Sequence, residues 1–309
     1  MSVIENAIKR LQASRGTAAT APARAGAVGE ALATPGAAGR HDAAVERAAP
    51  PVTPTAVPGR TIPINYDVLR AAGLLPPPHQ ERELAQQYRQ IKRPLINRAL
   101  GRGVDLIPQG NLVMIASAVP GEGKTFMSLN LALSTRLEED LTVLLVDGDV
   151  VNPRMSQVLG AQSEPGLLDI IKDPTISIAS LILPTDVPGL SFLPAGRPDD
   201  NATELLASAR MQQVVAQLAG EDPSRLVVFD SAPLLLTTES QALAQLAGQI
   251  LLVVRAEQTP QHVVLEAIET LAEDKSVSLV LNQCMRQPHT GYYYQYGSAA
   301  GPREKASGV

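Results

Sequence analysis

The sequence predicts an α/β fold with a mainly parallel central sheet flanked by helices. Three observations carry that expectation. Six continuously apolar runs of strand length recur after Asn111, helix-like stretches separate them, and an apolar content of 45% over 309 residues suffices for a sizeable core. Strands with one wet face alternate apolar and polar residues. Runs that are apolar throughout are buried on both faces, as in a parallel sheet covered by helices.

In chain order, "MSVIENAIKRLQAS" reads as an amphipathic helix over residues 1–14. Ser2 and Glu5 form a capping-box pattern, and Ile4, Ala7, Ile8 and Leu11 share one face. It lacks the h-region of a secretory leader, and reads either as a docking element for a partner or membrane surface or as a short capped surface helix. Residues 15–60 are rich in Ala, Gly, Pro and Thr with little Leu, Ile or aromatic content, so they read as a disordered linker. Composition changes at Thr61. "YDVLRAAGLLPP" and "QERELAQQYRQIKRPLINRAL" predict a helical extension over 61–108, its second helix ending near Gly101.

An α/β domain is expected over 109–287. Its strands are 112–117, 142–147, 190–194, 225–230, 249–254 and 277–282. Between them "TFMSLNLALSTRLEE", "ATELLASARMQQVVAQLAG" and "QHVVLEAIETLAED" read as helices, the second opened by a capping box of Asn201 and Glu204. Residues 288–309 form a flexible tail in which "GYYYQYG" packs four of the chain's six tyrosines between glycines. A core role does not explain that cluster, since the segment has neither helical nor strand period.

Bulk properties exclude several classes. A net charge of -5 argues against sequence-independent binding to nucleic acid. Cys284 is the lone cysteine, so no intrachain disulfide forms and a reducing compartment fits. His41, His79, His262 and His289 are scattered, without zinc-ligand spacing. No apolar run approaches the roughly 18 residues of a membrane-spanning helix.

The chemistry begins at "IASAVPGEGKTFMSLNLA", which follows the first strand and opens a helix. Glycines 121 and 123 let the backbone wrap phosphate oxygens, and the helix N-terminus presents N–H groups and a positive dipole end. The expected nucleotide-binding stretch is Val119, Pro120, Gly121, Glu122, Gly123, Lys124, Thr125 and Phe126. In it Lys124 reaches the β- and γ-phosphates and Thr125 binds Mg²⁺. The first consensus glycine of such a loop is Ala118 here. In "VLLVDGDV", Asp147 and Asp149 lie two apart at a strand end, and "LVVFDSAP" ends another strand at Asp230. Carboxylates there are placed to hold Mg²⁺ or accept a proton. Asn282 closes the last strand: in related nucleotide-binding proteins an asparagine there touches the adenine edge, and the alternative is a polar strand-end residue.

Together, "SAVPGEGKT", "VLLVDGDV" and "VVFDSAPLLL" resemble the Walker A, Walker A′ and Walker B motifs of the bacterial tyrosine kinases (BY-kinases) of exopolysaccharide synthesis and export. "LPAGRPDDNATELLAS" resembles a further stretch of that family, and the tyrosine cluster looks like its autophosphorylation site. "MSVIENAIKRL", "AAGLLPP" and "QYRQIKRPLI" are similar to the exosortase-associated branch.

The resemblance implies a P-loop NTPase fold and an autokinase using ATP and Mg²⁺. Lys124, Asp147, Asp149 and Asp230 are then catalytic, with Thr125, Asp149 and Asp230 around the metal. Asp147 orients or deprotonates the tyrosine, and Tyr292, Tyr293, Tyr294 and Tyr296 are the acceptors. It also implies a cytoplasmic protein recruited peripherally to the membrane by a separate chain-length-determinant activator. Self-association, as a ring in related kinases, and a cognate tyrosine phosphatase are expected with it.

Departures from the family pattern are specific. Val151 stands where Arg or Lys is usual, with Arg154 nearby as a substitute. Asp230-Ser231-Ala232-Pro233 replaces D-[ST]-P-P, and the ring motif E-x-x-R-x-x-R reads Gln86, Arg89, Lys92. The alternative is a Par/Min-type ATPase acting as a nucleotide switch. Those proteins share the fold, but carry a signature lysine where this chain has Val119 and lack the tyrosine cluster.

Overall fold

In the computed structural model the described residues are 61–220, 222 and 224–284. The expected N-terminal helix, linker and tyrosine tail lie outside them. The described chain runs α1 (Tyr66–Ala71), a 3-10 turn (Pro78–Gln80), α2 (Glu81–Leu100), β1 (Leu112–Ser117), α3 (Lys124–Thr135), β2 (Thr142–Asp147), α4 (Arg154–Val158), α5 (Leu167–Lys172) and α6 (Ile178–Leu181). It continues through β3 (Leu183–Pro184), β4 (Leu190–Leu193), α7 (Ala202–Leu206), α8 (Ala209–Gly220), β5 (Arg225–Asp230), α9 (Thr238–Leu246), β6 (Gln249–Arg255), α10 (Gln261–Glu269) and β7 (Ser276–Asn282).

The seven strands lie in the order β3-β4-β2-β5-β1-β6-β7, and every pairing except β3 with β4 is parallel. Period-2 alternation divides each apolar run between two cores. Leu112, Met114 and Ala116 of β1 face one core, with Leu144, Val146, Val227 and Phe229. Val113 and Ile115 face the other, with Val143, Leu145, Leu226 and Val228. Helices α5 and α7–α10 contribute to the first core, through residues such as Leu168, Leu206, Met211 and Leu243. Leu69 of α1, Tyr88 and Leu95 of α2, and Met127 and Leu131 of α3 belong to the second. The helical extension therefore shares the core of the sheet instead of standing apart from it.

Several elements differ from expectation. The stretch 202–220 is two helices, because Ser208 interrupts it and its Oγ accepts from Met211 N at 3.2 Å, opening α8. The Asn201–Glu204 capping box does not form: the Asn201 side chain makes no capping bond, and its own N–H donates to Asp199 Oδ1 at 2.7 Å. Helix α3 stops at Thr135 and α10 at Glu269, short of the apolar patterns that suggested them.

The chain moves from β1 to β2 on one side of the sheet and later to β6 on the other. Beside β1 the strand order reverses, and in open parallel sheets ligands bind at the carboxyl ends of strands around such a point. The loop after Ser117, the ends of β2 and β5, and the end of β7 all lie on that edge.

Candidate functional site

A cavity of about 1440 Å³ opens at this carboxyl edge. Pro120, Gly121, Gly123, Lys124, Thr125 and Phe126 line it, and so do Asp149 and Asn282. The loop takes its shape from glycine: Gly121 and Gly123 have φ of 80° and 96°, a region L-residues avoid. Lys124 and Thr125 then open α3, so the first free N–H groups of the helix point toward the cavity.

Two predicted loop residues turn the other way. Val119 and Glu122 are absent from the cavity wall. The Glu122 carboxylate is 1% exposed and accepts from Val119 N at 2.9 Å, Arg255 N at 3.2 Å and Thr259 Oγ1 at 2.6 Å. It fastens the loop to the end of β6. The Val119 amide is engaged by that carboxylate, so Val119 and Glu122 support the loop from behind.

The acidic residues separate into one on the wall and two beneath it. Asp147 and Asp230 are register partners across β2 and β5, exposed by 0% and 1%. Asp149 lies on the cavity wall and accepts from Asn152 N at 3.0 Å. Gly148 makes this possible: its N–H donates to Asp230 O at 2.7 Å, and a Cβ there would meet the same oxygen at 2.8 Å. The glycine between the two aspartates thus lets the end of β2 press against β5.

Asp147 was expected to meet a tyrosine hydroxyl. The structure instead encloses it, with Oδ2 accepting from Ser156 N and Ser156 Oγ, both at 2.7 Å. Its Oδ1 is buried and has no hydrogen-bond partner. Burial, reinforced by the neighbouring Asp230 charge, pushes its carboxyl up to about 8. Burial also lifts Asp230, to about 6, although Thr125 and Ser128 hydroxyls and Lys124 oppose the shift; Ser128 Oγ lies 2.9 Å away. Asp149 is raised by burial too, against the Asn152 amide and Lys124. Lys124 is lowered by burial, opposed by Asp230, Asp149 and Glu122.

The carboxyls, one of them with an orphan oxygen, suit Mg²⁺, and the lysine and open amide cradle suit phosphate oxygens. Among the described residues no group of three His, Cys, Asp or Glu side chains could hold a metal by itself.

Other predicted positions are also fixed. Asn282 reaches the cavity, but its Nδ2 donates to Glu122 O at 2.8 Å, so that amide braces the loop. Val151 and Arg154 both line the cavity, and Arg154 Nη2 is held by Ala72 O at 2.9 Å. Lys92, the third position of the ring motif, is 4% exposed; it donates to Ser134 O at 2.7 Å and pairs with Glu138 at 2.6 Å. It ties α2 to the end of α3. Tyr292, Tyr293, Tyr294 and Tyr296 lie outside the described residues.

Ser128, Ser156 and Gln283 were not singled out from sequence. Ser128 was findable, since it lies one helical turn after Lys124 on the same face. Ser156 and Gln283 make contacts that only the folded chain creates.

No family model matches the chain. EpsB of Ralstonia nicotianae is 35% identical over 193 residues, covering 62% of this chain and 25% of EpsB. The tyrosine-protein kinase YwqD of Bacillus subtilis is 28% identical over 216 residues, covering 69% of this chain and 86% of YwqD. The chain spans about a quarter of the length of the first curated relatives it matches. Among solved structures the VpsO kinase domain superposes with a TM-score of 0.55 at 28% identity, covering 68% of this chain and all of that domain. The homologues of this chain are bacterial protein-tyrosine kinases, and its fold is that of their P-loop kinase domains.

Proposed function

We propose that this chain is an ATP-dependent protein-tyrosine autokinase that phosphorylates its own tyrosine cluster and thereby regulates exopolysaccharide synthesis or export. The observation that carries this reading is the convergence of Lys124, Thr125 and Asp149 on one cavity whose wall also includes Cys284, from which the chain continues toward Tyr292. Kinship with tyrosine-protein kinases supports it.

Phosphoryl transfer asks a protein for positioning and charge neutralisation more than for covalent chemistry. The amides of the loop and the start of α3 bind the polyphosphate of ATP, and Lys124 draws charge toward the β- and γ-phosphates. Thr125, Asp149 and Asp230 would hold Mg²⁺, whose chemistry is to neutralise the transferring phosphoryl. A tyrosine oxygen forms a bond to the γ-phosphorus while the bond to the bridging β–γ oxygen breaks and ADP leaves. The phenol ordinarily titrates near 10, so a base assists its deprotonation. The resemblance gives that role to Asp147, which is enclosed among the described residues, while Asp149 on the cavity wall is kept for the metal.

Transfer in trans, between copies of the chain, follows from the family resemblance. So do the exosortase-associated branch, peripheral recruitment to the cytoplasmic membrane face by a separate activator, and a cognate phosphatase. No helix among the described residues is long and apolar enough to cross a membrane.

The test is phosphotyrosine formation by the purified chain with MgATP, alone and with the activator, compared with Lys124→Met. Label on the tail of the parent and none on the variant is expected. ATP hydrolysis with an unlabelled tail would replace this reading with the Par/Min-type switch.

A further inference from the structure

The end of β7 grips the phosphate loop at the cavity wall. Asn282 Nδ2 donates to Glu122 O at 2.8 Å, and Gln283 Nε2 donates to Gly121 O at 2.9 Å. Two consecutive residues thus hold two consecutive loop carbonyls. In a trans peptide the carbonyl and the following N–H point in opposite directions. Holding Gly121 O and Glu122 O on the β7 carboxamides therefore fixes the planes of these two peptides and points the N–H groups of Glu122 and Gly123 away from β7. Those are the donors a phosphate needs.

The brace is itself held in place. Asn282 O accepts from Ala256 N at 2.9 Å, which locks the strand end to the segment after β6. Gln283 has φ of 55°, one of three non-glycine residues in the left-handed region among the described residues. Such a conformation costs an L-residue about 1–2 kcal/mol and persists only where surrounding structure enforces it. Here it accompanies the reach of the Gln283 amide to Gly121 O. The loop lacks its first consensus glycine, which is Ala118, and Ala118 is fully buried. Its orientation rests on these two carboxamides together with the Glu122 carboxylate.

We propose that Asn282 and Gln283 are positioning residues for polyphosphate binding, setting the direction of the Glu122 and Gly123 amides without reading the nucleotide base. This rests on the nucleotide reading above. It differs from an adenine contact by Asn282, because a brace acts on the phosphates whatever base they carry.

The experiment uses the full chain and two probes, MgADP by titration calorimetry and inorganic triphosphate with Mg²⁺ by competition. Asn282→Leu and Gln283→Met keep approximate size, remove the donor and add no charge beside the phosphates. Each is expected to weaken both probes by the same factor, about threefold to tenfold, as one lost hydrogen bond does. The ligand-free melting midpoint falls by only a few degrees. Gln283→His at pH 8, where an ordinary imidazole is neutral, keeps a donor nitrogen and holds affinity near the parent's, which a merely structural strut would not show.

Unchanged affinity for both probes overturns the inference, as does a loss confined to MgADP, which would make Asn282 an adenine reader. Failure of Gln283→His to hold binding overturns the role of its donor. A parent chain that binds neither probe, with Lys124→Met no different, would instead remove the nucleotide reading itself.

Discussion

Gly123→Ala tests how tightly the phosphate loop is enclosed. The residue has φ of 96°, and a Cβ there would overlap Asn282 Nδ2, with Asn282 Cγ at 3.4 Å and Gln283 Nε2 at 3.7 Å. Gly121 is the internal control: its φ is 80°, yet a Cβ would meet nothing within 4 Å. Forcing alanine into left-handed backbone costs about 1–2 kcal/mol at either position. At Gly123 the methyl must also displace the Asn282 amide from Glu122 O, a further 0.5–1.5 kcal/mol or about that. Urea unfolding of the ligand-free chain should therefore show Gly123→Ala less stable than Gly121→Ala by about 1 kcal/mol, which is about 2–4 °C in melting midpoint for a chain of this size. In an Asn282→Ala background the obstructing amide is gone, and the two glycine substitutions should cost the same. Equal costs in the parent background, or a double-mutant cycle with no coupling, would refute the packing of β7 on the loop.

Asp147→Asn should change how the metal-free chain responds to pH. The folded carboxyl lies at about 8, above its ordinary value, so the folded chain keeps a proton that the unfolded chain releases. The stability from that proton is present at low pH and lost as pH rises through the window between about 4 and 8. Asp230, at about 6, has the same sign. The parent midpoint should fall between about pH 5 and pH 8 in chelator, and Asn should lessen the fall; a parallel curve would count against the enclosure of Asp147. Lys92→Met should cost about 1–3 kcal/mol in urea titration through loss of its bonds to Ser134 O and Glu138. The same variant should leave the sedimentation profile unchanged, whereas a lost oligomer would return Lys92 to a subunit interface. Full phosphorylation of Tyr292, Tyr293, Tyr294 and Tyr296 adds about -6 to -8 of charge. It should shift self-associated chains toward monomer, more so at low salt, in sedimentation velocity.

The parallel strands were legible because each is an apolar run ending where the core ends. Three of them, β1, β2 and β5, have the boundaries their composition implies. β3 was not legible: it is two residues long, antiparallel and contains Pro184, so it has no run to read. The helix pattern over 202–220 concealed a break, because Ser208 is compatible with a helix interior and only its bond to Met211 N reveals the new start. At the site, the cavity-facing residues of the loop follow from glycine and lysine spacing. The roles of Asp147 and Asn282 did not follow. Whether a strand-end side chain meets solvent or a neighbouring element depends on Ser156 and on the loop carbonyls, which are distant in sequence.

The two borders of the sheet are finished differently. On the β3 side, Pro184 has no N–H to offer, and its carbonyl is taken by Ile62 N at 2.9 Å while Ile62 O accepts from Asp186 N at 3.2 Å. On the β7 side, among the described residues, Ser276–Asn282 has a strand partner only in β6. Unpaired backbone along a strand is a template for strands of other chains. Misassembly under heat or mild denaturant would therefore recruit along β7, and a lysine introduced at half-exposed Leu281 would suppress turbidity more than one anywhere along β3.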